Sequence, residues 1–98
     1  MPALDARTVL IRNPDMVCGE VDGELIALSL DTGSYLHMNA PASRILALFE
    51  EQARPLSPQD LCALLLSEYD VSESDCLRDV LAMAQRCVEL DLLRLAPA

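Results

Sequence analysis

The stretch from Val21 to Asn39, V-D-G-E-L-I-A-L-S-L-D-T-G-S-Y-L-H-M-N, decides the fold of this chain. Glu24 to Leu30 reads by period as a strand, and Asp31-Thr32-Gly33 supplies the turn that ends it. A second short strand follows over Ser34 to Met38, and Asn39 is a good N-cap for a helix. Upstream, Asp22-Gly23 lies between two apolar runs, where the favoured hairpin turn needs positive φ at both central positions. Met16 to Val21 is therefore expected to fold back antiparallel on Glu24 to Leu30. In the latter, Ile26, Leu28 and Leu30 share one face, while Leu25, Ala27 and Ser29 share the other. Apolar residues on both faces make it the central strand of a meander. The Ser34 to Met38 strand then keeps one free edge, without the Pro or Lys that commonly blunt an edge.

Beyond Asn39 the period becomes helical. Pro41 is tolerated in a first turn, and Ala42, Ile45, Leu46 and Phe49 form one buried face of a helix ending near Gln52 or Ala53, ahead of Pro55. Ser57-Pro58-Gln59-Asp60 is close to a capping box and starts a second helix with Leu61, Leu64, Leu65 and Tyr69 on its core face. Ser72-Glu73-Ser74-Asp75 repeats the start signal for a third helix over about Glu73 to Leu90. This helix carries two apolar stripes, Leu77-Leu81-Ala84-Val88 and Cys76-Val80-Met83-Cys87-Leu90, more than a single packing contact needs. Before the meander, Thr8 to Arg12 is a strand ended by Asn13-Pro14-Asp15, and Leu92 to Leu95 is a candidate partner. Three antiparallel strands followed by three helices amount to an α+β domain of winged helix-turn-helix type. With no internal repeat or linker, residues 1–98 read as a single domain.

Composition narrows the function. The chain is 52% hydrophobic, enough for one core, and Tyr35, Phe49 and Tyr69 are its only aromatics. Sixteen Asp and Glu stand against seven Arg and no Lys, for a net charge of −9. That average field repels a phosphate backbone or an anionic membrane surface, so neither nucleic acid nor membrane is an expected partner. No apolar run is long enough to span a bilayer, and Met1 to Pro14 lacks the pattern of a signal peptide, which implies a cytoplasmic protein. Cys18, Cys62, Cys76 and Cys87 are then reduced thiols without a C-x-x-C pair, and no metal site or other cofactor is implied. Cys76 and Cys87 lie three helical turns apart, too far to share a metal. His37 is the only histidine, and no nucleophile at a recognisable spacing points to it. No residue reads as catalytic.

The order of motifs resembles a known family. D-G-E-L-I-A-L, D-T-G-S-Y-L-H-M-N, a helix with Arg44-Ile45, S-P-Q-D-L-C-A-L-L-L-S-E-Y-D-V, D-V-L-A-M-A from Asp79 to Ala84, and a final L-D-L-L are similar to the PqqD-like family over about Met16 to Leu95. Its members are RiPP recognition elements, small winged-helix domains that bind the leader of a ribosomally made precursor peptide. The Asp31-Thr32-Gly33 turn is closer to the discrete elements of lasso-peptide systems. The resemblance implies that a leader adds as an antiparallel strand to the third strand of the meander, its side chains entering a cleft against the third helix. Carried over by position, the peptide-binding residues are Ser34, Tyr35, Leu36 and His37 on the strand, and Asp79, Ala82, Met83, Arg86 and Cys87 on the helix. Tyr35 and His37 are expected to face a groove shared with Met83, Arg86 and Cys87.

Two function classes follow. One is a non-catalytic adaptor that captures a leader and presents it to a maturation enzyme in trans, such as a leader peptidase, cyclase or radical SAM enzyme. Open-edge pairing gives affinity, and pockets for alternate side chains give selectivity. The other is a winged-helix DNA-binding or transcription-regulatory domain, which needs a basic recognition helix. The third helix offers Arg78 and Arg86 against Glu73, Asp75, Asp79 and Glu89, followed by Asp91, and so disfavours it. The plainer structural roles are a sheet-covering Tyr35, a core-filling Met83, and solvated ion pairs for Asp75 with Arg78 and Asp79 with Arg86.

Overall fold

The computed structural model describes residues 4–97. In chain order its elements are β1 (Leu10–Arg12), β2 (Met16–Val21), β3 (Glu24–Ser29), β4 (Tyr35–Met38), α1 (Ala40–Gln52), α2 (Pro58–Leu66), α3 (Glu73–Glu89) and β5 (Leu93–Leu95). The fold is α+β, with the antiparallel sheet β2-β3-β4 and three helices. The expected hairpin is present, with Asp22 and Gly23 at φ 52° and 82°. Gly33, at φ 76°, makes the second reversal and donates its N–H to the Ser29 carbonyl at 2.9 Å. β3 is central, as its two apolar faces imply.

Pairing register fixes which face looks where. Ala27 lies opposite Leu36 and Leu25 opposite Met38, so these four side chains share a face. Ala27 is buried, and Leu36 and Met38 pack against the core. Leu28 opposite Tyr35 and Ile26 opposite His37 make the outer face. β1 pairs with β5 in a separate two-stranded sheet, Ile11 opposite Arg94, which confirms the C-terminal partner expected for the first strand. That strand begins at Leu10 rather than Thr8, because Thr8 closes a local turn by donating its N–H to the Asp5 carbonyl at 3.2 Å.

The helix starts follow their caps. Asn39 Oδ1 accepts the Ala42 N–H at 2.9 Å. Ser57 and Asp60 close a full capping box at 3.1 and 3.0 Å. Ser72 Oγ accepts the Asp75 N–H at 3.2 Å. The core under the helices is aliphatic, with Leu10, Leu48, Leu56, Leu61, Leu92 and Leu93 almost wholly buried. On α3 the buried line is Cys76, Val80, Ala84 and Cys87, which draws on both expected stripes. Leu77, Met83, Val88 and Leu90 are partly buried against the same core. Tyr69 departs from its expected core position: α2 ends at Leu66 and Tyr69 is 50% exposed.

All four cysteines are free thiols. Burial pushes Cys62 up to about 12, and a hydrogen bond with Cys76 across the α2–α3 contact acts in the same direction. Cys87 is pushed up to about 12 by burial. At neutral pH Cys62 and Cys87 are therefore un-ionised and serve as small apolar packing groups.

A polar knot ties the strand ends together. Asn13 and Ser29 are 0% exposed. Asn13 Nδ2 donates to the Asp91 carbonyl at 2.7 Å, and Ser29 Oγ donates to Asp91 Oδ2 at 3.0 Å. Arg94 spans Asp91 at 3.0 Å and Asp31 at 2.6 Å. The Arg94 guanidinium holds the Asp91 carboxyl below its ordinary value of 3.8, with the Ser29 hydroxyl adding to the effect and burial opposing it. A carboxyl whose folded pKa is depressed contributes stability above its unfolded pKa and loses it as pH falls through the folded value. Asp91→Asn removes that titration, and Asn tolerates the left-handed φ of 58° found here. The variant is expected to melt at a less acid-dependent temperature than the parent below about pH 4. Identical acid limbs in thermal melts across that range would count against this role.

Candidate functional site

Two features meet at the C-terminal end of β4. The first is an open sheet edge: among the described residues no strand pairs with the side of β4 away from β3. Ser29 donates its N–H to the Ser34 carbonyl at 2.8 Å, which sets the phase of the ladder. Hydrogen-bonded and non-hydrogen-bonded pairs alternate, so Leu36 and Met38 direct their main-chain groups to β3. Tyr35 and His37 direct theirs to the open edge. The second feature is a cleft of about 800 Å³ that begins where β4 ends. Asn39, Ala40 and Pro41 form one lip, α3 from Asp75 to Met83 forms a wall, and Tyr69 to Ser72 complete the rim. Ile45, Leu65, Val80 and Met83 make its lining largely apolar.

Local chemistry positions these walls. The Asn39 cap starts α1 immediately after β4, so strand and lip are covalently continuous. Arg44 on α1 grips Glu68 with two hydrogen bonds, at 2.8 and 2.6 Å, and also pairs with Glu51. The fork-to-carboxylate contact draws the Glu68 pKa down and anchors the chain directly before Tyr69. The Ser72 cap fixes the start of α3, where the rim joins the wall.

The structure redistributes the residues expected from sequence. Asp79 and Met83 line the cleft. Ala82 and Arg86 are exposed on α3 outside its lining, with Arg86 3.9 Å from Glu89 rather than paired with Asp79. Cys87 is 0% exposed and faces the core, so its expected place in the groove wall is corrected. The shared groove for Tyr35 and His37 side chains is corrected as well. Strand alternation turns both to the outer sheet face, where Tyr35 is 57% exposed and the two rings meet edge-on at 5.7 Å. His37 Nδ1 lies 2.9 Å from Glu24 Oε2, with both side chains largely in water. Leu36 and Met38 take the inward face instead, and Ser34 sits half-buried at the start of the strand. Tyr35 and His37 offer the edge their backbone, not their rings.

Sequence reading missed the α1 lip and the Tyr69 to Ser72 rim, because these segments are distant in the chain and carry no shared motif. The Ser57 and Ser72 caps bracket α2 together with its connection to α3, and the Ser72 cap was the available signal that a short loop would stand over the α3 start.

A solved structure titled "Lasso peptide synthetase B1 complexed with the leader peptide" aligns with a TM-score of 0.67 at 25% identity, covering 90% of this chain and 98% of that one. Another, "TbiB1 in Complex with the TbiA(beta) Leader Peptide", aligns with a TM-score of 0.71 at 27% identity, covering 90% and 99%. No curated protein matches by sequence. The family described as Coenzyme PQQ synthesis protein D (PqqD) matches residues 24–93, from the start of β3 through the cleft-forming helices into β5, and with that span this chain belongs to the PqqD family.

Proposed function

We propose that this protein is a non-catalytic adaptor that binds the leader of a ribosomally made precursor peptide and presents it to a maturation enzyme acting in trans. The observation that carries this reading is the open edge of β4 running into an apolar cleft against α3. A leader segment pairs with the main chain of Tyr35 and His37 and places side chains from the adjoining residues in the cleft. The two solved relatives, each described as a complex with a leader peptide, support the same use of the fold here. The enzyme served is a leader peptidase, a cyclase or a radical SAM enzyme, and the encounter takes place in the cytoplasm. The structure has no helix long and apolar enough to cross a membrane among the described residues. A DNA-binding role is opposed by α3 itself, whose exposed Glu73, Asp75 and Asp79 outnumber Arg78 at the end nearest the cleft.

Calorimetric titration of the leader of a precursor encoded beside this gene tests the reading. Saturable binding is expected, weakened roughly tenfold by Met83→Ala, which removes a cleft anchor without charge or backbone change. Absence of binding to any neighbouring leader, together with a salt-dependent shift of duplex DNA, would overturn it.

A further inference from the structure

The cleft has a charge as well as a shape. Asp70, Asp75 and Asp79 stand among its lining residues against the single cation Arg78. That guanidinium is already shared, 3.3 Å from Asp75 and 3.6 Å from Asp79. Three carboxylates and one guanidinium leave the rim with a net charge of −2. The surroundings do not offset this, because the chain has no Lys and a net charge of −9. Beneath the rim, Ile45 and Val80 give the same opening an apolar floor.

We infer that the leader segment seated in this cleft is cationic, with Lys or Arg beside its bulky apolar anchors. This rests on the leader-binding reading and specifies the peptide that reading requires. An acidic leader side chain would meet two unneutralised carboxylates at the mouth, whereas a Lys or Arg relieves their mutual repulsion and is steered in by the wider field. Geometry also places the cations along the peptide. The cleft lies beyond the C-terminal end of β4, where Asn39 to Pro41 form its lip. A strand added antiparallel, the more stable ladder, has its N-terminal part over that end. The cations and apolar anchors therefore precede the residues that pair with Tyr35 and His37.

Selection of a random-sequence displayed peptide library on the full chain tests this. Enriched peptides are expected to combine bulky apolar residues with Lys or Arg toward their N-terminal side, and to lose affinity as salt is raised. Repeating the selection on the double variant Asp70→Lys, Asp79→Lys, both exposed and outside the core, should shift enrichment to acidic peptides. The original basic peptides should bind that variant roughly tenfold more weakly or worse. Enriched apolar peptides without excess cations, with cations only at the opposite end, or indifferent to the charge reversal overturn the inference and leave leader capture standing. No enrichment of any peptide overturns both.

Discussion

His37→Pro is expected to weaken leader binding by about 2–4 kcal/mol, roughly thirty- to a thousandfold, while the protein stays folded. The reason lies in the phase of the β3–β4 ladder. Ser29 donates its N–H across to the Ser34 carbonyl, and from that residue the alternation along the ladder points the His37 N–H away from β3 and toward the open edge. Proline at that position takes no ladder bond from the native sheet and is tolerated on an edge strand. It does remove the donor that an added strand would use, leaves a leader carbonyl unpaired, and puts ring atoms where the strand would lie. Leu36→Pro one residue earlier would instead break a bond to β3 and unsettle the fold, which makes the pair diagnostic. His37→Ala keeps the N–H and removes only a ring that lies on the outer face beside Glu24, so its binding should stay within a few-fold of the parent. Binding isotherms for the three variants, with circular dichroism to report folding, decide the matter. Equal losses for His37→Ala and His37→Pro would show that the imidazole, not the strand edge, is what matters.

Much of this edge was legible before the structure. Asp22-Gly23 and Gly33 are turn residues whose left-handed conformation has few alternatives, and they fixed the meander and its order. Pro41, Pro58 and the Asn39, Ser57 and Ser72 caps set the helix starts to the residue. Side-chain direction on β4 was not legible. The strand has four residues, its alternation offers an apolar pair, Leu36 and Met38, and a pair of polar-tipped rings, Tyr35 and His37, and only packing chooses between them. The aliphatic core chose Leu36 and Met38. Cys87 was similarly ambiguous, since a helix with two apolar stripes does not say which one is covered. The end of α3 was legible to within a residue, expected near Leu90 and found at Glu89, but its closure was not: Asp91, rather than Gly, takes the left-handed position, with Leu92 donating back to the Cys87 carbonyl at 2.8 Å.

The same Asp91 leads to the residue whose importance the sequence hid most. Asn13 reads as punctuation between strands, yet its side chain is at the centre of the molecule's buried polar knot. Nδ2 reaches the Asp91 carbonyl at 2.7 Å, and Oδ1 accepts the Asp15 N–H at 2.8 Å. Weaker contacts run to Ser29 at 3.4 Å and Asp31 at 3.3 Å. Asn13→Ala leaves a buried carbonyl and a turn N–H without partners and opens a small void among groups that cannot collapse apolarly. The expected cost is about 2–4 kcal/mol, a large part of the roughly 5–15 kcal/mol that stabilises a typical domain. Ser29→Ala, which removes one hydroxyl from the same knot, should cost only about 1 kcal/mol. Urea denaturation of both variants measures the difference, and a loss below about 0.5 kcal/mol for Asn13→Ala would place it with ordinary surface changes and refute the hub role. Function enters through Asp31, which the knot holds by way of Asn13 and Arg94. Asp31 opens the turn that delivers β4 to the sheet edge, so loosening it frees the register in which Tyr35 and His37 present their main chain. The folded fraction of Asn13→Ala should therefore also bind leader less tightly than the parent, an effect that Ser29→Ala, with the Asn13 and Arg94 contacts to Asp31 intact, should show only weakly.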